Sequence, residues 1–156
     1  MNVRSKSTGY SPMMVPGSRN NDNPNANVNV MTDENRLNAR NFRDYKVWQD
    51  AVEFSTYLYK ITDSMPWFEK KGLCGQLQRA VVSIASNIAE GAARPSDNDF
   101  AHFLDISLGS AFEVETQLLI AKNIGYIDND TYNQIIQRLS EIERQLHGLI
   151  NKIRKT

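Results

Sequence analysis

The stretch Gln76-Leu77-Gln78-Arg79-Ala80-Val81-Val82-Ser83-Ile84-Ala85-Ser86-Asn87-Ile88-Ala89-Glu90-Gly91 decides the architecture. With Leu73 before it, the apolar residues Leu77, Ala80, Val81, Ile84 and Ile88 follow in steps of three and four. Such steps place one apolar stripe on an α-helix. The β-branched pair Val81-Val82 lies inside that period and offers no alternation for a strand. Ala80, Ser83, Ala85, Ser86 and Ala89 are small, so a neighbouring helix backbone can approach closely. Gly91 suits a left-handed residue that closes the helix.

The same period recurs on both sides. Upstream, Val47, Trp48, Ala51, Phe54, Leu58 and Ile61 form one stripe, with Asp44 as candidate N-cap and Pro66 beyond its end. Downstream, Ser96 and Asp99 form a variant capping box ahead of Phe100, Phe103, Leu104, Leu108, Ala111, Val114, Leu118 and Ala121. That helix closes at Gly125. Asp128 then caps a last stripe through Tyr132, Ile135, Leu139, Ile142, Leu146, Ile150 and Ile153. The expected helices are 44–63, 70–91, 97–124 and 129–154. Short connections force antiparallel neighbours, so the expected fold is an all-α, up-down-up-down four-helix bundle over residues 42–156.

Residues 1–41 read differently. Nine asparagines and three of the five prolines fall in the first forty positions, among scattered large apolar residues such as Tyr10, Val15 and Leu37. A segment of this kind buries too little surface to offset an ordering cost of roughly 1–2 kcal/mol per residue. It is expected to be a disordered, Asn-rich tail. No apolar core of a secretory signal follows Arg4.

The 156 residues carry 18 basic and 18 acidic side chains and one cysteine. One cysteine excludes a disulfide framework and any zinc site built on paired cysteines. No run of about 18 apolar residues is present, so no membrane span is expected. His102 and His147 lack a second His or Cys at helical spacing, and Glu143 precedes His147 by four residues rather than the three of di-iron bundles. Cys74 has no partnered histidine and reads as a packing residue. No phosphate loop, nucleophile elbow or paired catalytic acid occurs. The expectation is a protein with no catalytic, cofactor or metal site.

Charge is unevenly spread. Residues 1–40 sum to +2 and residues 41–156 to −2. The up-down topology gathers Arg43, Lys46, Arg94, Lys152, Arg154 and Lys155 at one end of the bundle, beside Asp44, Asp97 and Asp99. These six are the candidates for contacts to nucleic-acid phosphates. The plain alternative is that cations at the end of the fourth helix meet its dipole. A second group, Gln76, Arg79, Ser83, Asn87, Glu90, Glu113 and Glu115, places polar side chains among apolar ones along the second and third helices. There Arg79 is expected to pair with Glu113 or Glu115 in a partly buried contact.

Several stretches in order resemble one family: Phe42-Arg43-Asp44-Tyr45-Lys46-Val47-Trp48-Gln49, Ser83-Ile84-Ala85-Ser86-Asn87-Ile88-Ala89-Glu90-Gly91, Glu113-Val114-Glu115-Thr116-Gln117-Leu118 and Gly125-Tyr126. They resemble the bacterial four-helix-bundle family, also called the 23S ribosomal RNA intervening-sequence protein family, across about residues 42–154. The sequence departs from the family pattern at Ala111-Phe112 and in its Asn-rich tail. The resemblance implies an antiparallel four-helix bundle assembled as a homopentamer; it does not imply an enzyme. A related branch serves diversity-generating retroelements as an accessory protein that binds the reverse transcriptase and nucleic acid. The reading is therefore a cytoplasmic, non-enzymatic, oligomeric interaction protein that binds RNA or DNA through backbone phosphates. The alternative is a protein-binding accessory subunit of a reverse transcriptase.

Overall fold

A computed structural model describes residues 40–69 and 71–155. The expected tail lies outside the described residues except for Arg40 and Asn41. A 3-10 turn at Phe42–Asp44 leads into α1 (Lys46–Asp63), and a second at Trp67–Glu69 precedes α2 (Leu73–Ala92). The chain continues as α3 (Asp97–Asn123) and α4 (Asn129–Arg154). Among the described residues there is no strand.

Neighbouring helices run antiparallel, and named contacts set their register. Ser55 Oγ donates to the Val81 carbonyl at 3.1 Å, and Gln78 Nε2 donates to Thr62 Oγ1 at 2.8 Å, pairing α1 with α2. Ser107 Oγ reaches the Ile84 carbonyl at 2.9 Å, and Ser110 Oγ meets Ser83 Oγ at 2.9 Å, pairing α2 with α3. Gln145 Nε2 donates to Asp50 Oδ2 at 2.8 Å, while the Arg138 guanidinium lies 4.4 Å from the Tyr57 ring centre, pairing α4 with α1. The helix backbones neighbour one another in the cycle α1–α2–α3–α4–α1. This is the expected up-down-up-down bundle.

Each apolar stripe points inward. Phe54 and Leu58 from α1, Leu77, Ile84 and Ile88 from α2, Phe100, Leu104 and Leu118 from α3, and Ile135, Leu139 and Leu146 from α4 are buried. Cys74 belongs to this core, with its thiol 3.5 Å from Met65 Sδ. The most extensive seam is α2–α3. Ala80, Ser107, Ser110 and Ala111 are buried there, and their small side chains bring the two backbones together.

Two local readings change. Asp44 does not cap α1: Tyr45 occupies that position, and no side chain caps it. Asp44 instead accepts a hydrogen bond from Asn41 Nδ2 at 2.9 Å, and Asn41 is the cap of the 3-10 turn. Gly91 does not end α2 in a left-handed conformation. It lies inside the helix, buried, and a Cβ there would stand 2.6 Å from Phe103 Cβ and 2.9 Å from Phe100 Cδ2. Its need is close approach of α3. The left-handed glycine is Gly125, with φ 79°. Its N–H bonds to the Lys122 carbonyl and that of Tyr126 to the Ala121 carbonyl, the double closure of a Schellman motif. Ser96 and Asp128 cap α3 and α4 as expected, accepting from the N–H groups of Asp99 and Thr131.

Candidate functional site

The topology puts the start of α1, the α2–α3 connection and the end of α4 at one end. Tyr45 and Phe100 pack there with tilted rings, their centres 5.5 Å apart. Arg43, Lys46, Lys152, Arg154 and Lys155 are exposed at this end, and Arg94 is half-buried. Carboxylates of the same chain meet several of them. Lys46 pairs with Asp50, Arg94 with Glu90, and Arg154 with Asp105. The Arg94 guanidinium also lies 4.6 Å from the Phe103 ring centre, and that of Arg43 lies 4.4 Å from the Phe42 ring centre. Ion pairs at such exposed sites are weak, so a phosphate diester can compete for the cation.

Arg40 is a seventh cation of this end that sequence reasoning placed in the tail. Its Nη1 donates to the Arg94 carbonyl at 2.8 Å, Nη2 pairs with Asp97, and the guanidinium lies 5.0 Å from the Phe100 ring centre. A lone arginine in an Asn-rich segment carries no local signal of this docking.

The second polar group lies along the α2–α3 seam. Ser83 is its centre, receiving Ser110 Oγ and, at 2.9 Å, Asn87 Nδ2. The expected Arg79 pair is not formed. Arg79 and Gln76 are exposed, and among the described residues Arg79 has no ion pair. The Ser83–Ser110 register sets Arg79 level with Val114, which is buried, so the flanking glutamates turn to either side. Glu113 accepts from Gln117 Nε2 at 2.9 Å, and the electrostatic neighbour of Glu115 is Glu143 on α4. Glu143 is half-buried with an unpartnered Oε1, and burial followed by Glu115 raises its pKa above 4.5, with His147 opposing.

Sequence reasoning also missed two outer faces. α3 carries apolar residues beyond its buried stripe, interleaved with exposed polar ones such as His102, Glu113 and Thr116. Ile106, Phe112, Leu119, Ile120 and Ile124 point outward and are between 40 % and 51 % exposed. Gly109, among them, faces open space. Between α1 and α2 runs a shallow groove in two joined parts, about 550 and 450 Å³, that share Tyr59, Val82 and Ser86. Both parts are lined mainly by small or uncharged side chains, with Lys71 and Arg79 on one rim. The signal for the α3 face was present in its sequence, where apolar residues exceed one stripe.

Among the described residues no three His, Cys, Asp or Glu side chains converge to hold a metal ion. No helix among them is long and apolar enough to cross a membrane.

A family model described as 23S rRNA-intervening sequence protein matches residues 43–148. The crystal structure of a protein of unknown function from the S23 ribosomal protein family of Bacteroides thetaiotaomicron is similar, with a TM-score of 0.63 and 27 % identity. The match covers 67 % of this chain and 95 % of that one. No curated protein matches.

Proposed function

The chain belongs to the 23S rRNA-intervening sequence protein family, and from that premise we propose that it is a self-assembling, non-enzymatic interaction module of the cytoplasm. The observation that carries this reading is the outward apolar face of α3. A helix that leaves Ile106, Phe112, Leu119 and Ile120 about half exposed, with Ile124 just past its end, presents the kind of patch that marks a protein interface. The family resemblance gives the stoichiometry of the proposal as a closed ring of five.

Exposure of Arg43 and Lys155 at one end favours a second element of the reading, contact with RNA or DNA phosphates. One chain offers few uncommitted cations there. A ring repeats that end once per subunit, and several weak contacts then act together. Affinity of this origin is independent of base sequence and falls steeply with salt. Filter binding of mixed RNA and DNA across a salt series tests it. The expected result is binding at low salt, with a steeper salt dependence for the assembled protein than for a monomeric variant such as Ile120→Glu. Absence of binding at low salt contradicts it. A reverse transcriptase is the partner of the alternative reading, and its co-purification with the protein in place of nucleic acid would select that alternative.

A further inference from the structure

We propose that the groove between α1 and α2 binds an organic phosphate: a phosphate ester with a flat apolar body, such as a nucleoside monophosphate. A free nucleotide and the phosphorylated end of a nucleic-acid strand both carry that chemistry. The site lies on the flank of the bundle, apart from the basic end, and all its residues belong to one chain.

Charge in the groove is of one sign. No carboxylate lines either part, and Lys71 and Arg79 line the first. Both cations are exposed, and among the described residues neither has an ion pair. The basic end differs, because Arg40, Lys46, Arg94 and Arg154 each pair there with a carboxylate. An anion arriving at that end must compete with those carboxylates. In the groove none stands in its way. The Arg79 guanidinium is a fork that can hold two phosphate oxygens, and Lys71 supplies a point charge for a third. Gly75, one helical turn before Arg79, adds no side chain to the space between them.

The groove changes character along α2. Beyond Arg79 it is bounded by Val52, Tyr59, Val82 and Ala85. Val52, Tyr59 and Val82 are between 40 % and 45 % exposed. Tyr59 borders both parts, so its ring stands where the organic body of the ligand begins. A planar group such as a base can pack against such a ring. Two hydroxyls of the apolar part are already used: Ser55 donates to the Ala51 carbonyl at 2.7 Å, and Thr56 to that of Val52 at 3.0 Å. The Tyr59 and Ser86 hydroxyls make no hydrogen bond among the described residues and are left for polar groups of the ligand. The two parts, about 550 and 450 Å³, fall within the size of small-molecule sites, roughly 300–1,000 Å³.

Isothermal titration calorimetry on the full chain tests the site, with adenosine monophosphate, adenosine and inorganic phosphate as probes. Adenosine monophosphate is expected to bind about tenfold or more tightly than either fragment. Arg79→Gln, a change at an exposed position, is expected to weaken its binding by about tenfold. Tyr59→Ala is expected to lower adenosine monophosphate to the affinity of inorganic phosphate and to leave phosphate itself unchanged. Circular dichroism verifies that both variants keep their helix content. Equal affinity of the wild type for adenosine monophosphate and inorganic phosphate overturns the proposal, as does binding unmoved by Arg79→Gln. No binding at millimolar adenosine monophosphate overturns it as well. A terminally phosphorylated single-stranded oligonucleotide and its unphosphorylated counterpart separate the two sources. A strand that gains affinity from its terminal phosphate, and loses that gain in Arg79→Gln, assigns the site to strand ends. A strand that gains nothing from it, while adenosine monophosphate binds as expected, assigns the site to free nucleotides.

Discussion

Gly91 of α2 lies against Phe103 of α3 so closely that a Cβ would stand 2.6 Å from the Phe103 Cβ. The α2–α3 seam is therefore set by the absence of a side chain at one position. Gly91→Ala gains helix propensity, about 1 kcal/mol, but must push α3 away from a packed core. Overpacking of this kind costs about 1–3 kcal/mol. The expected net effect is a lower thermal midpoint by circular dichroism, with unchanged helix content at low temperature. Gly109→Ala on the open face of α3 has no such clash and is expected to match or exceed the wild-type midpoint.

Ser96 holds the start of α3 by accepting from the Asp99 N–H at 3.0 Å. Removing the cap leaves an orphan N–H in the first turn. Ser96→Ala is expected to destabilise by about 1 kcal/mol, while Ser96→Asn costs much less. Chemical denaturation of the three proteins checks the order.

Glu143 and Asp50 predict opposite pH behaviour. Burial, then Glu115, raises the Glu143 pKa above 4.5. Its protonated form is favoured in the fold, so the contribution to stability is complete below 4.5 and is lost as pH rises through the raised value. Glu143→Gln should therefore raise the melting temperature at neutral pH and lose that advantage in acid. For Asp50, burial alone would raise the pKa, but hydrogen bonds from Lys46 and Gln145 outweigh it and hold the carboxyl below 3.8. That contribution is present above 3.8 and lost as pH falls through the lowered value. Asp50→Asn should lower the midpoint at neutral pH and converge on wild type in acid, as pH falls through the lowered value. Melting curves across pH distinguish the two patterns.

Helix number, type and connection were legible because each stripe repeats in threes and fours over many residues. Ser96, Gly125 and Asp128 were legible as caps because each follows or precedes its stripe directly. Gly91 was misread because a glycine needed for close approach and one needed for positive φ look alike in sequence. Asp44 was misread because it lies in a 3-10 turn capped by Asn41, which leaves Tyr45 at the start of α1 with no side-chain cap. The Arg79 pairing failed on a finer scale: the register was close, but Val114 faces α2 and its neighbours do not. Arg40 shows the limit of composition, since its docking on Asp97 and the Arg94 carbonyl is wholly tertiary.

Arg79 makes no ion pair within the chain, so its loss should leave the isolated fold intact. At dilutions where the protein is monomeric, Arg79→Met is expected to melt within about 1–2 °C of wild type. A large loss of stability in the monomer would restore the intramolecular pairing.

Self-assembly is tested most directly by the mass of the full chain in solution, by light scattering on a sizing column over a wide concentration range. One chain is about 17.8 kDa. A species of several chains, about five for a closed ring, that dissociates on Ile120→Glu substitution is the predicted result. A single 17.8 kDa species at every concentration would contradict the account.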